Sequence, residues 1–434
     1  MRTMKDSGIE WIGQIPQEWR MERLRYHAEW NPTTELPSLT DEDNVSFIPM
    51  DHLKTGYHLQ SIVSYSKVKK GYVCFADGDV LMAKVTPCLE NGNLAIADNL
   101  INGVGYGSTE INVIRCKSIN NRFLFYLLQC PLYIEKATYS MYGVAGLKRL
   151  DPEFIPNSYF PFPPIEEQER IVSFVDKKCS EIDTLIAAKE KTNALLKERR
   201  QSIIYEAVTK GLNPDAPMKD SGIEWIGTIP QNSNIVRFKY LCDIFGRIGF
   251  RGYTQADIVA EGEGPITLSP SNIEAYGMDF SKCTYLTWDK YNESPEIQVG
   301  VGDILLVKTG SSYGKSAIIE TIPMEATINP QLVVVKNIKC NARYLYYCMQ
   351  TDCFAYQVER AVVGGTIPTM AQEKINNFIV VLPEDDLCEE IVVYLDQKCE
   401  EINRMVTANE ATIQKLKEYR QSVIYEAVTG KIEI

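Results

Sequence analysis

At 434 residues, with 45% apolar and 24% charged side chains, the chain has the make-up of a globular protein of two to four domains, not of a disordered or low-complexity one. No stretch approaches the roughly 20 apolar residues of a membrane span, and Met1-Arg2-Thr3-Met4-Lys5-Asp6 lacks the apolar run of a secretory signal. A net charge of −12 argues against unaided nucleic-acid binding, and twelve cysteines without a C-x-x-C pair, beside only His27, His52 and His58, fit neither a zinc site nor a disulfide framework, so a soluble cytosolic protein is expected.

The chain opens on a segment it uses twice. Residues 4–13 return letter for letter as 218–227, and residues 200–209 return as 420–429 with Val423 in place of Ile203. Two tandem copies of one unit follow, about 1–217 and 218–434, a period too long for a solenoid. Their ends are nearly identical and their middles have diverged. That pattern points to two sites in one fixed mutual geometry, each free to see something different.

Behind the opener (1–19), residues 20–162 read as short strands at 45–50, 62–65, 80–84, 94–97 and 111–115. Gly56, Asp77-Gly78, Asn91-Gly92 and Gly103 punctuate them. One short helix is predicted at 122–129. The second copy, 235–383, gives strands at 266–269, 304–308, 317–319 and 332–336 and a helix at 343–350. Each is a mixed α/β domain, not a regular βαβ alternation.

The texture then changes. Pro163-Pro164 precedes Glu166, Glu167 and Glu169, and Pro383 precedes Glu384, Asp385 and Asp386: proline in the first turn and acids at the positive end of the dipole. Val172, Val175, Cys179, Ile182 and Ile186 step by threes and fours, as do Val392, Leu395, Cys399, Ile402 and Val406. That is the seam of a coiled coil. Leu196 with Leu416, and Ile203 with Val423, extend it, and Gly211 and Gly430 stop it. A helix over 165–209 is about 68 Å long. So narrow a seam wants one partner, which makes the helices of 163–212 and 384–434 each other's partners. The alternative, each helix lying on its own globule, needs a wider apolar stripe. Residues 213–234 hold a helix-breaking linker, Asn213-Pro214-Asp215-Ala216-Pro217, and the repeated opener.

Both openers (5–16 and 219–230), the stretch Pro161-Phe162-Pro163-Pro164-Ile165-Glu166-Glu167-Gln168-Glu169-Arg170-Ile171 and the two helix ends resemble specificity (S) subunits of type I restriction–modification systems, over the whole duplicated layout. The resemblance implies two target-recognition domains separated by a pair of long antiparallel helices, with pseudo-two-fold symmetry. Each domain would read half of a bipartite site in double-stranded DNA. The chain itself would bind no cofactor and catalyse nothing. It would dock two modification subunits, which carry S-adenosylmethionine and methylate adenine, and with two restriction subunits form an ATP-dependent nuclease. Unit two departs from the pattern where Glu384-Asp385-Asp386-Leu387-Cys388 replaces Pro164-Ile165-Glu166-Glu167-Gln168.

No catalytic centre is legible. Asn31-Pro32-Thr33 and Asn329-Pro330-Gln331 lack the second proline of an adenine methyltransferase motif. The segment 310–316 has three residues between its glycines where a phosphate loop needs four, and a strand follows it instead of a helix. All three histidines fall in one copy, and no nucleophile–histidine pair is credible.

Two corresponding strands do run into polar loops. Lys84 leads into 85–93, with Thr86, Asn91 and Asn93; Lys308 leads into the shorter 309–315, with Thr309, Ser311, Ser312, Tyr313 and Lys315. Asn suits adenine, Lys suits guanine or phosphate, and Ser or Thr suits either. Each residue also fits an ordinary solvated turn. A second pair of segments, 142–149 with Lys148-Arg149 and 363–369 with Thr366, is glycine-rich, as is 246–253 with Arg247 and Arg251. These suit phosphate, or a surface turn. Phe123, Phe125 and Tyr126, with Tyr344, Tyr346 and Tyr347, fit core better than base stacking, and Trp11 and Trp225 fit scaffold anchors. Two other classes stay open: a stand-alone DNA enzyme, and a coiled-coil adaptor that binds only proteins.

Overall fold

The computed structural model describes residues 2–35, 37–144, 146–247, 252–274, 276–364 and 368–434. Two candidate contacts, Arg251 and Thr366, lie outside the described residues. The chain divides into two compact units, Met1–Lys189 with Ala411–Ile434, and Glu190–Glu410. Both divisions fall inside the long helices, so these units are not the tandem halves. Each one takes the end of a helix that starts in the other copy.

Unit one is built on two four-stranded sheets. One runs Leu94–Ile96, Val80–Ala83, Ile111–Cys116, Ala28–Trp30, antiparallel throughout. The other runs Ser61–Ser64, Asn44–Ile48, Val104–Gly107, Val73–Ala76, with its two inner strands parallel. Val80–Ala83 is apolar at every position because it is covered on both faces, and side chains alternate between faces along a strand. Val80 and Met82 share a core with Phe123, Leu124 and Leu128, while Leu81 and Ala83 share another with Ile48, Phe75 and Val113. Unit two repeats the design. Ile304 and Leu306 meet Tyr344 and Leu345; Leu305 and Val307 meet Ile266, Leu268 and Ile328. Its second sheet gains a fifth strand, Ile258–Val259.

The short helices run Asn121–Leu128 and Ala342–Met349, each capped by an asparagine side chain, Asn120 or Asn341, that accepts two backbone N–H bonds. Asn120 is also held by Gln168, whose amide accepts from its backbone N–H at 2.8 Å and donates to the Pro163 carbonyl at 2.9 Å. Cys388 stands in that place in unit two and bonds only the Pro383 carbonyl, so the sequence departure at the second helix start removes a bridge to the short helix. A second short helix follows in each unit, Pro131–Tyr139 and Asp352–Ala361. The sequence reading missed both, although Pro131 at a first turn and the Thr351 cap are helix-start signals.

A polar clamp repeats as well. Asp176 on the first long helix accepts from Arg122 at 2.8 Å and from the Tyr126 hydroxyl. Asp396 on the second accepts from Arg343 and, at 2.6 Å, from the Tyr347 hydroxyl.

The long helices span Ile165–Lys210 and Asp385–Val428. Inside unit one, Ile182 and Ile186 pack with Ile413 and Leu416, and Arg420 donates to Asp183 at 3.0 Å. Inside unit two, Asn409 donates to the buried Asn193 at 2.8 Å, and Lys197 lies 3.7 Å from Glu410. Low numbers on one helix meet high numbers on the other, which is antiparallel pairing. The seam does two jobs. Val172, Val175 and Cys179 join a core made with Phe123 and Phe160 of the α/β domain and Ile424, Ala427 and Val428 of the second helix. Val392, Leu395 and Cys399 join Tyr344, Val380, Ile204, Ala207 and Val208. Ile402 and Val406 are buried farther along. The choice posed by the sequence, partner helix or own globule, is thus answered by both at the outer turns and by the partner alone at Ile182 and Ile186.

The opener is a hairpin, Met4–Asp6 with Gln14–Pro16. Trp11 is buried against Tyr133 and Phe160, and the Tyr425 hydroxyl donates to its carbonyl at 3.0 Å. Gly430 ends the second helix at φ +71°, and a Cβ there would come within 2.4 Å of Pro16.

The clamp predicts a graded loss of stability in urea unfolding. Asp396→Ala leaves the buried Tyr347 hydroxyl without its acceptor and should cost about 1–3 kcal/mol, and Tyr347→Phe about 1 kcal/mol. Lys178→Ala, which breaks a surface pair with Glu181, should leave the urea midpoint essentially unmoved. Equal shifts for all three would refute a buried clamp.

Candidate nucleic-acid interface

Each central strand ends on a lysine, Lys84 after Val80–Ala83 and Lys308 after Ile304–Val307. The loop beyond Lys84 is wound, not splayed. The N–H groups of Leu89, Asn91 and Asn93 donate to the carbonyls of Val85, Pro87 and Cys88 at 2.9–3.0 Å, and Leu89 is fully buried beneath. Thr55 adds hydroxyl bonds to the carbonyls of Asn91 and Gly92, both at 3.1 Å. Asn91 is exposed, and Lys84, Thr86 and Asn93 are half-buried. The loop beyond Lys308 is tighter: Gly314 N–H returns to the Val307 carbonyl at 2.9 Å. Tyr313 packs against the core and the Lys315 ammonium donates to the Ile273 carbonyl, so both brace the loop. Ser311 is exposed and Ser312 half-buried.

In each unit the two candidate segments, far apart in sequence, form one edge. Tyr142–Val144 and Leu147–Arg149 make a hairpin, and Thr86 joins it, donating its hydroxyl to the Gly146 carbonyl at 2.7 Å and accepting from Lys148 N–H at 3.0 Å. In unit two the hairpin is Val362–Val363 with Thr369–Met370. There the Thr309 and Thr369 hydroxyls are 2.7 Å apart, and Gly310 N–H donates to Pro368 at 3.0 Å. Thr369 closes the candidate segment 363–369, in which Thr366 is the residue singled out, and nothing local marks a residue whose partner lies 60 positions away.

The charges separate into two kinds. Lys148 is exposed, whereas Arg149 is held by Glu110 at 2.6 and 3.1 Å, which raises its pKa. Arg247 corrects an expectation: it is 4% exposed, donates to the Ile328 carbonyl at 3.0 Å and the Thr327 hydroxyl at 3.1 Å, and lies 5.7 Å from the Tyr253 ring. Burial pushes its pKa down. It braces the second sheet and is not a surface arginine awaiting phosphate. Lys308 is half-buried and its pKa is likewise depressed by desolvation.

His27 sits in a hydrogen-bonded line of three side chains. The Ser118 hydroxyl lies 2.8 Å from His27 Nδ1, and Glu22 lies 2.7 Å from Nε2. The three residue types are those of a nucleophile, a base and an acid. The N–H groups of Lys117 and Ser118 both donate to the His27 carbonyl, so neither is aimed at a developing oxyanion, as acyl transfer requires. The ring stacks on Phe162 at 3.7 Å. The line fastens strands at the base of the sheet.

Residues 30–197 match the family described as type I restriction modification DNA specificity domain. Over 164 residues the chain is 41% identical to the type I restriction enzyme EcoAI specificity subunit of Escherichia coli, covering 37% of this chain and 28% of that protein. It is 20% identical to the MjaVIII specificity subunit of Methanocaldococcus jannaschii over 97% of this chain and 94% of the relative. The chain is thus similar to type I specificity subunits, with the family model covering residues 30–197. A solved chain from work on the assembly and conformational transition of the type I R-M system has the same fold, with a TM-score of 0.72 at 18% identity, covering 96% of this chain and 99% of that one. The 41% match spans only 28% of its relative's length, and the family model's residues 30–197 include the loop 85–93, its hairpin and most of the first long helix. Among the described residues no helix is long and apolar enough to cross a membrane.

Two outcomes follow for stability. Arg247→Ala removes a buried donor from the Ile328 carbonyl and the Thr327 hydroxyl and should cost unit two about 2–3 kcal/mol, while Lys148→Ala changes unfolding by under about 0.5 kcal/mol. Lys308→Met should stabilise unit two at pH 7. The folded lysine loses its proton below the ordinary 10.5, so its desolvation penalty is complete below the folded pKa and fades as pH rises through it. Urea midpoints at pH 7 and pH 10 check this; a gain that grows with pH would contradict it.

Proposed function

We propose that the chain reads DNA as the specificity subunit of a type I restriction–modification complex. Each α/β domain reads one half of a bipartite site in double-stranded DNA, and the chain performs no chemistry of its own. The recurring edge carries this reading. In both units a doubly buried strand ends on a lysine, enters a loop and is bridged to a glycine-rich hairpin, yet the loops differ in length and content. One frame presenting two different sets of Asn, Thr, Ser and Lys side chains is what direct base readout needs.

The long helices run unbroken through both units and supply the spacer between half-sites and the platform for two modification subunits. Those subunits bind S-adenosylmethionine and methylate adenine, and two restriction subunits complete the nuclease. The net charge of −12 fits this division, because phosphate neutralisation dominates affinity and the partners provide most of it. A protein-only adaptor would have no use for loops that diverge on a fixed frame.

Sequencing of modified adenine in DNA from cells expressing the chain with its modification partner should give a two-part motif. Replacing 85–93 should change one half of that motif and leave the other intact; a change in both halves, or in neither, would reject the modular reading. Lys148→Ala should weaken binding on all duplexes and lower the salt slope by about one. Loss at a single base position would instead make Lys148 a base reader.

A further inference from the structure

The recurring edge carries one more feature at the same place in both units. In unit one, Tyr142 opposes Arg149 across the hairpin, and Arg149 is bridged to Val85 in the reading loop. In unit two, Val363 opposes Thr369, which is bridged to Thr309. Opposed residues of antiparallel strands put their side chains on one face, as the paired Thr309 and Thr369 hydroxyls illustrate. Each row thus runs from the reading loop to an outermost side chain. That side chain is apolar and open, Tyr142 at 58% and Val363 at 50% exposure. Single exposed apolar residues are ordinary. Two at equivalent positions of diverged copies, each one strand away from a reading loop, call for a shared ligand feature.

We propose that Tyr142 and Val363 each pack on the C5-methyl of a thymine in their own half-site. Within the major groove that methyl is the apolar mark on a base edge; the other marks are hydrogen-bond donors and acceptors, which a valine side chain cannot address. Lys148 pairs with Gly143, the residue after Tyr142 on the same hairpin, and Lys308 precedes Thr309 at the loop end of the second row. The assignment rests on the DNA-reading function proposed above.

Thymine-to-uracil exchange removes the methyl and keeps the base pairing. With the chain bound to its modification partner, each thymine of the methylated motif is exchanged in turn and binding is measured on wild type, Tyr142→Ala, Tyr142→Phe and Val363→Ala. One exchange in each half-site should weaken wild-type binding about fourfold, the worth of one buried methyl. Tyr142→Ala should erase that sensitivity in one half-site and Val363→Ala in the other, while Tyr142→Phe keeps it. Selective wild-type binding that is indifferent to every exchange, or variants as sensitive as wild type, would overturn the proposal and leave the DNA-reading function standing. Wild-type complex that selects no duplex would overturn both.

Discussion

In each unit the hydrophobic core beneath the short helices is finished by a helix end that belongs to the other copy of the repeat. Ile424, Ala427 and Val428 close the core around Phe123 and Phe160, and Ile204, Ala207 and Val208 close the one around Tyr344 and Val380. The recognition loops depend on this, because the short helices that cover the central strands rest on the same cores. Without the borrowed helix end, Val80 and Met82, or Ile304 and Leu306, would lose part of their cover on one face, and the lysines that follow them would lose their fixed starting point.

Much of this was legible in the residues. Local patterns gave many of the strands, one short helix in each copy, the long seam and its glycine stops, because apolar runs between turn residues and three-four spacing leave marks within a few residues of one another. What stayed hidden depends on distant partners. Arg247 has the look of a phosphate-binding arginine among glycines, and Thr327 and Ile328, about eighty residues on, help make it structural. Glu110 removes Arg149 from the set of free cations in the same way. The line from Ser118 through His27 to Glu22 spans segments that no spacing rule connects. The seam was read as one interface, but a periodicity cannot say that its outer turns also face an α/β domain.

The surviving candidates share a physical character. Lys148 stands exposed on a hairpin, and Lys308 is held partly desolvated at a strand end. Neither is needed for folding, and the desolvation of Lys308 costs stability. Arg149, Arg247, Tyr313 and Lys315, by contrast, are engaged with the protein itself. Two kinds of residue are therefore interleaved along the same edge: those that set the loop's shape and those that shape leaves available.

Unit two is a single continuous stretch of chain, whereas unit one is assembled from two pieces separated by all of unit two. During synthesis, residues 190–410 are complete while the first α/β domain still lacks the segment that seals it. The earlier-made domain must then wait, its apolar floor open, until residues 411–434 emerge from the ribosome. Maturation of the first reader is thereby coupled to translation of the very end of the second.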